Sequence, residues 1–187
     1  MLSGPFSDLL KELREYPSFL KALGLKNPDK RFLDAELILR FLALDSCYDK
    51  STGKVNGYPN RMKTFLNAYM EKHRKITQQE AEQIRKKFIS TIDKILLVFA
   101  PPSFRRFKPE DRTYDTRLNR ALMDVIMVSF ENTSMEFLKG HRDQIASLLE
   151  KITQTDTNFN EALIYGTSDT KKLEYRLNSW HKAISKL

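Results

Sequence analysis

The chain has 187 residues, 41% hydrophobic and 30% charged, with a formal net charge of +8. That apolar content, including 12 Phe and 7 Tyr spread along the sequence, excludes a disordered chain; the single cysteine, Cys47, excludes an intrachain disulfide and a zinc site built from several thiolates. The longest apolar stretch, Ile95–Ala100, falls far short of the roughly 20 residues that cross a bilayer, and the N-terminus has no basic segment followed by an apolar run, so the expectation is a cytoplasmic protein without a membrane partner.

Phe6, Leu9, Leu10 and Leu13 form an i, i+3, i+4, i+7 stripe, with Ser3 or Gly4 ahead of Pro5 at a helix start. Pro17 opens a second, short helix, with Phe19, Leu20 and Leu23 inward and Gly24 as its stop. The clearest helix runs from Phe32 or Asp34 to Leu44, and within it Glu36 and Arg40 stand four apart in the favourable order for an ion pair. Set between apolar neighbours, Arg40 can instead turn inward, where it needs a fixed partner. Residues 49–60 hold most of the breakers and read as a flexible loop without a phosphate-cradling glycine spacing.

Met62, Phe65, Leu66, Tyr69 and Met70 make the next helical stripe. Thr77 with Glu80 is a capping box that opens the longest helix, to about Phe99, with Ile84, Phe88, Ile92, Ile95, Leu96 and Phe99 inward. Pro101 and Pro102 end it, and 103–113 is a polar, basic connection. A helix near 116–131 buries Leu118, Leu122, Val125, Ile126 and Phe130, with Asn119 and Asp124 inside it and free to bond across to a neighbour. Residues 134–151 are helical with a break at Gly140. Thr155–Asn158 offers N-caps for a helix carrying Phe159, Ala162, Leu163 and Ile164, stopped by Gly166. Ser168 or Asp169 caps the last helix, whose apolar side is Leu173, Leu177, Trp180 and Ile184. No run alternates with period two. The expectation is therefore all-α: one domain over 1–187, an irregular multi-helix bundle of about eight to ten helices.

The charge excess is concentrated, with ten basic against four acidic residues in 51–100. Arg85 and Lys86, with Lys87 beside them, and the loop Phe104-Arg105-Arg106-Phe107-Lys108 are the candidate nucleic-acid contacts, since cations interleaved with aromatics can grip a backbone and stack its bases. The plainer alternative is a solvated helix face, and a loop whose two Phe anchor it to the core while its Arg residues face water. His73, His141 and His181 lack a second ligand at metal spacing, and Cys47 lacks an activating neighbour, so no catalytic, metal or cofactor residue is assigned.

Six segments, in order, carry a resemblance: Phe6-Ser-Asp-Leu-Leu, Arg31-Phe-Leu-Asp-Ala-Glu-Leu-Ile-Leu-Arg-Phe-Leu-Ala-Leu, Phe65-Leu-Asn-Ala-Tyr-Met, Ser103-Phe-Arg-Arg-Phe, Asn119-Arg-Ala-Leu-Met-Asp and 159–168. Together they resemble the helical C-terminal half of the bacterial ParB/sulfiredoxin-like domain-of-unknown-function family found at the N-terminus of GmrSD-type modification-dependent restriction enzymes, with relatives in phage defence. In that family nucleotide hydrolysis is associated with a ParB-like α/β half carrying Asp-Gly-Gln-Gln-Arg, a motif this sequence lacks. The resemblance thus implies a fragment, or a truncated or split product, holding the helical half alone. It implies a non-catalytic interaction module whose partner is a ParB-like α/β half, in the same gene product or in trans, or a second copy. It carries over Arg31, Glu36, Arg40, Asn67, Phe104, Arg105, Asn119 and Asp124 as internal structural contacts. A DNA-binding module using the basic 61–112 region is the alternative function.

Overall fold

The computed structural model describes residues 4–187. Ser3, one of the two expected caps of the first helix, lies outside them; Gly4 precedes that helix, and its carbonyl accepts the Asp8 N–H at 3.0 Å. Ten helices follow: α1 Pro5–Leu13, α2 Pro17–Leu23, α3 Leu33–Asp45, α4 Met62–Lys72, α5 Gln78–Val98, α6 Arg120–Glu131, α7 Met135–Gly140, α8 Arg142–Thr155, α9 Thr157–Ile164 and α10 Thr170–Ile184. The all-α expectation holds.

Local chemistry sets most ends. The Thr77–Glu80 capping box opens α5, with the Glu80 carboxylate accepting the Thr77 N–H at 2.7 Å. Asp156 caps α9 and Asp169 caps α10, each accepting a backbone N–H of the first turn. Gly24 closes α2 in the left-handed region, φ 73°, and a Cβ there would sit 2.7 Å from the Pro102 ring. Asn119 corrects the sequence reading. It is the N-cap of α6 rather than a residue inside it, accepting the Leu122 N–H at 2.8 Å while its amide donates to the Leu163 carbonyl at 2.9 Å.

Two helices form the centre. Every residue from Leu37 to Leu44 of α3, and from Ala121 to Val128 of α6, is buried, the mark of a helix covered on all sides. Helices α1 and α4 pack on α3, and α5 and α10 on α6. The 21-residue α5 also backs α1, α2, α7 and α8, while α8–α10 close the other side. One hydrophobic cluster runs from Phe6 to Ile184. Of the apolar residues of α9, Phe159, Ala162 and Leu163 are buried and Ile164, at its end, is exposed.

The segment expected to be a flexible loop is a short antiparallel hairpin, β1 Tyr48–Asp49 with β2 Lys54–Val55. The Asp49 carboxylate accepts the Ser51 N–H at 2.8 Å, and α10 grips the hairpin. Asn178 takes the Tyr48 hydroxyl at 2.8 Å and donates to the Gly53 carbonyl at 2.9 Å, and Glu174 accepts the Val55 N–H at 3.2 Å. A second hairpin, β3 Phe107–Lys108 with β4 Thr113–Tyr114, lies in the basic connection. Strands of two residues are too short to show a period in sequence.

Candidate functional site

Asp124 of α6, 2% exposed, carries the most buried charge network of the fold. It accepts Arg40 Nε at 3.0 Å and Nη2 at 2.5 Å from α3, and Arg176 Nη2 at 3.2 Å from α10. Arg176 is fully buried and also donates to the Thr167 carbonyl at 3.0 Å. Burial alone would lower the Arg40 pKa, but the Asp124 carboxylate raises it; for Arg176 burial wins, with Arg40 adding to the lowering. The expected Glu36–Arg40 pair does not form. Arg40 turns inward, and Glu36 accepts from Arg120 at 3.2 Å instead. Two further residues carried over as internal contacts, Arg31 and Asn67, are exposed. Their side chains line a surface groove.

The basic candidates fall into two groups. Arg85 is held by Glu12 at 2.7 and 2.8 Å and by Glu82, which also lies 3.9 Å from Lys86. Thirteen residues on, α5 reaches Val98 about 20 Å away, at the 1.5 Å helical rise, and the second group follows. There Phe104 and Phe107 are buried, as anchors should be. Arg106 is buried too, not solvated, and donates to Asp115 at 3.1 Å and Asn160 at 2.9 Å. Lys108 pairs with Asp111. Arg105 alone of the five has no partner among the described residues. It lines a cleft of about 430 Å³ with Phe107, Tyr114, Arg142 and Glu150, and the Tyr114 hydroxyl donates to Glu150.

His73 and His141 are helix-end groups. Each stacks on the aromatic residue four positions earlier, with centroids 3.9 Å from Tyr69 and 4.3 Å from Phe137, and places Nδ1 2.9 Å from that residue's carbonyl. Among the described residues no three His, Cys, Asp or Glu gather as metal ligands. No helix there is long and apolar enough to cross a membrane. Burial, with Asp45 adding to it, pushes the Cys47 thiol up to about 12. At pH 8 about one such thiol in ten thousand is thiolate. For an unperturbed thiol at that pH the figure is about one in four. Iodoacetamide is therefore expected to label the native chain on the order of a thousand-fold more slowly than the chain in urea, thiolate being the nucleophile; equal rates would show an accessible, activated thiol.

The feature that sequence reading missed is apolar and outside. Leu25, Phe32 and Leu33 are 40%, 40% and 39% exposed. Leu25 and Leu33 line one groove, and Phe32, next to Leu33 in the chain, lines another at the start of α3. The first groove, of about 240 Å³, is lined by Leu23, Leu25, Leu33, Leu37 and Leu118 with Asp29, Asp34 and Arg120. A second, of about 290 Å³, is lined by Phe32, Leu39 and Met70 with Arg31, Glu36 and Asn67. Phe32 and Leu33 are the ridge between them.

The ridge is built with care. The Asp34 carboxylate accepts Arg14 Nε at 2.9 Å and the Asp29 N–H at 2.6 Å. Arg14 Nη2 donates to the Asp29 carbonyl, which also accepts the Phe32 N–H at 3.0 Å. This turn holds Phe32 in the left-handed region, φ 59°, with its ring 4.2 Å from the Arg14 guanidinium carbon. For a residue with a Cβ that conformation costs about 1–2 kcal/mol, and a cation–π contact at a half-exposed site returns about 0.5–1 kcal/mol. The fold thus tolerates strain to hold an aromatic ring outward, a pattern that concentrates at working surfaces. No protein-family model, curated protein or solved structure matches the chain.

Proposed function

We propose that the chain is a non-catalytic helical interaction module of the cytoplasm. Its partner is the ParB-like α/β half to which the sequence resemblance points, within a phage-defence or restriction system. The observation that supports this is the Leu25–Phe32–Leu33 face, where three large apolar side chains and two grooves lie together on the surface. Contiguous exposed apolar surface of this kind belongs to contact with another molecule.

The test co-expresses the chain with the ParB-like segment encoded beside it and measures mass in solution. A one-to-one complex that Phe32→Asn disperses is expected. A chain that stays monomeric beside that segment overturns the reading, and a locus with no such segment overturns the choice of partner. Asn suits the left-handed region better than Phe, so the variant should melt within about 0.5 kcal/mol of the parent, as surface changes do.

A second reading, nucleic-acid binding, is favoured by Arg105, which makes no ion pair among the described residues and lines a cleft with Phe107, Tyr114 and Arg142, and with Asp143 and Glu150. It predicts single-strand binding that falls steeply with salt and weakens about ten-fold in Arg105→Ala, the scale of one lost stacking or phosphate contact. Binding untouched by that variant removes the cleft from consideration.

A further inference from the structure

We infer that the element seated on the Leu25–Phe32–Leu33 face is an acidic amphipathic segment of the partner, with apolar side chains in the two grooves beside Phe32 and carboxylates against Lys21, Lys26, Lys30 and Arg31. The inference rests on the interaction-module reading and adds the chemistry of what is bound.

Charge sets the sign. Lys21, Lys26, Lys30 and Arg31 are exposed and have no carboxylate partner among the described residues. Residues 21–33 hold only one acid against them, Asp29. Its carboxylate already accepts the Arg31 N–H at 2.7 Å. The other acids at the grooves are engaged, Asp34 by Arg14 at 2.9 Å and Glu36 by Arg120 at 3.2 Å. Four unmatched cations in the segment that carries Leu25, Phe32 and Leu33, one of them, Arg31, lining a groove, are complementary to carboxylates supplied from outside.

Shape selects among anionic partners. An engineered cavity of about 150 Å³ takes a benzene ring, so grooves of about 240 and 290 Å³ each take one or two large side chains. A helix laying successive apolar residues into such grooves is an established mode of recognition. A lipid surface would meet the Phe32 ridge but leave both grooves unfilled. A second copy would bring the same four cations to an isologous contact, where like charges repel.

The probe is a synthetic helical peptide with leucines at i, i+3, i+4 and i+7 and glutamates elsewhere, followed by fluorescence anisotropy against the full chain. Three controls accompany it: the same composition with leucines scattered around the helix, a version with lysine for glutamate, and phosphatidylcholine vesicles containing phosphatidylserine. The glutamate peptide should bind about ten-fold or more tighter than either peptide control, and weaken as salt rises. Phe32→Asn should reduce its affinity about ten-fold, the loss expected for a central aromatic anchor. Lys26→Glu with Lys30→Glu should do the same and flatten the salt dependence.

Equal binding of the lysine peptide overturns the charge argument. Indifference to Phe32→Asn overturns the location. Preference for the vesicles replaces the peptide with a lipid surface. If the peptide fails while the ParB-like segment still forms a complex that Phe32→Asn disperses, only the chemistry falls. If neither binds, the interaction-module reading falls with it.

Discussion

Replacing Asp124 by Ala should cost about 3–5 kcal/mol, the scale of removing one partner from a buried ion pair. At about 2–4 °C per kcal/mol for a chain of this size, that is a fall of roughly 10 °C in melting temperature. The carboxylate is 2% exposed and, among the described residues, is the only one that Arg40 and Arg176 share; without it two guanidiniums stay buried, Arg40 at 6% and Arg176 at 0% exposure, with no described carboxylate to oppose them. The partners lie on α3, α6 and α10, so the loss loosens both central helices and the helix that grips the β1–β2 hairpin. Arg176→Met makes the sign informative. It leaves a balanced Arg40–Asp124 pair and removes an Nε–H with no acceptor among the described residues, so it should fall within about 1 kcal/mol of the parent, as hydrophobic replacement of buried charge often does. Urea unfolding of the two variants beside Asp93→Ala, an exposed acid on α5, checks both. If Asp124→Ala costs no more than Asp93→Ala, the network does not hold the bundle together.

Chemistry written within a few residues was legible from sequence, and chemistry spread over the fold was not. Thr77 with Glu80, Gly24 and Asp169 act on backbone groups next to them, so their roles could be read directly. Arg40 could be seen to need a partner, but Glu36 is four residues away and Asp124 is 84, and only the packing of α3 on α6 decides between them. Arg176 went unremarked, although a signal was present. It stands three residues after Leu173 and four before Trp180, on the apolar stripe of its own helix, where a cation must be buried with a counter-charge. Phe32 and Leu33 were left unassigned at the start of a strongly apolar helix, because nothing in their spacing shows that the Asp29–Asp34 turn holds them outward.

That turn is where stability and binding should separate most sharply. Asp34→Ala removes a carboxylate with a fully buried side chain that accepts Arg14 Nε at 2.9 Å and the N–H groups of Asp29 at 2.6 Å and Ala35 at 2.8 Å. Three charge-assisted hydrogen bonds end at one group, and Arg14, 8% exposed, is left without its counter-charge. The expected cost is about 3 kcal/mol, the lower end of the range for breaking a buried pair. The larger effect should fall on the face. Released from Asp34, Arg14 no longer fixes the Asp29 carbonyl or lies under the Phe32 ring, and Phe32 is free to leave its strained conformation, where each such residue stores about 1–3 kcal/mol. Binding of the acidic amphipathic peptide should therefore fall more than about ten-fold at a temperature where circular dichroism shows the helices intact. Phe32→Asn provides the contrast, losing the ring while keeping the turn, so it should match the binding loss and leave the melting temperature in place. A variant at Asp34 that unfolds the whole chain together with the face would show that the ridge has no independent architecture. One that is destabilised yet binds as before would show that Phe32 does not need the turn to be presented.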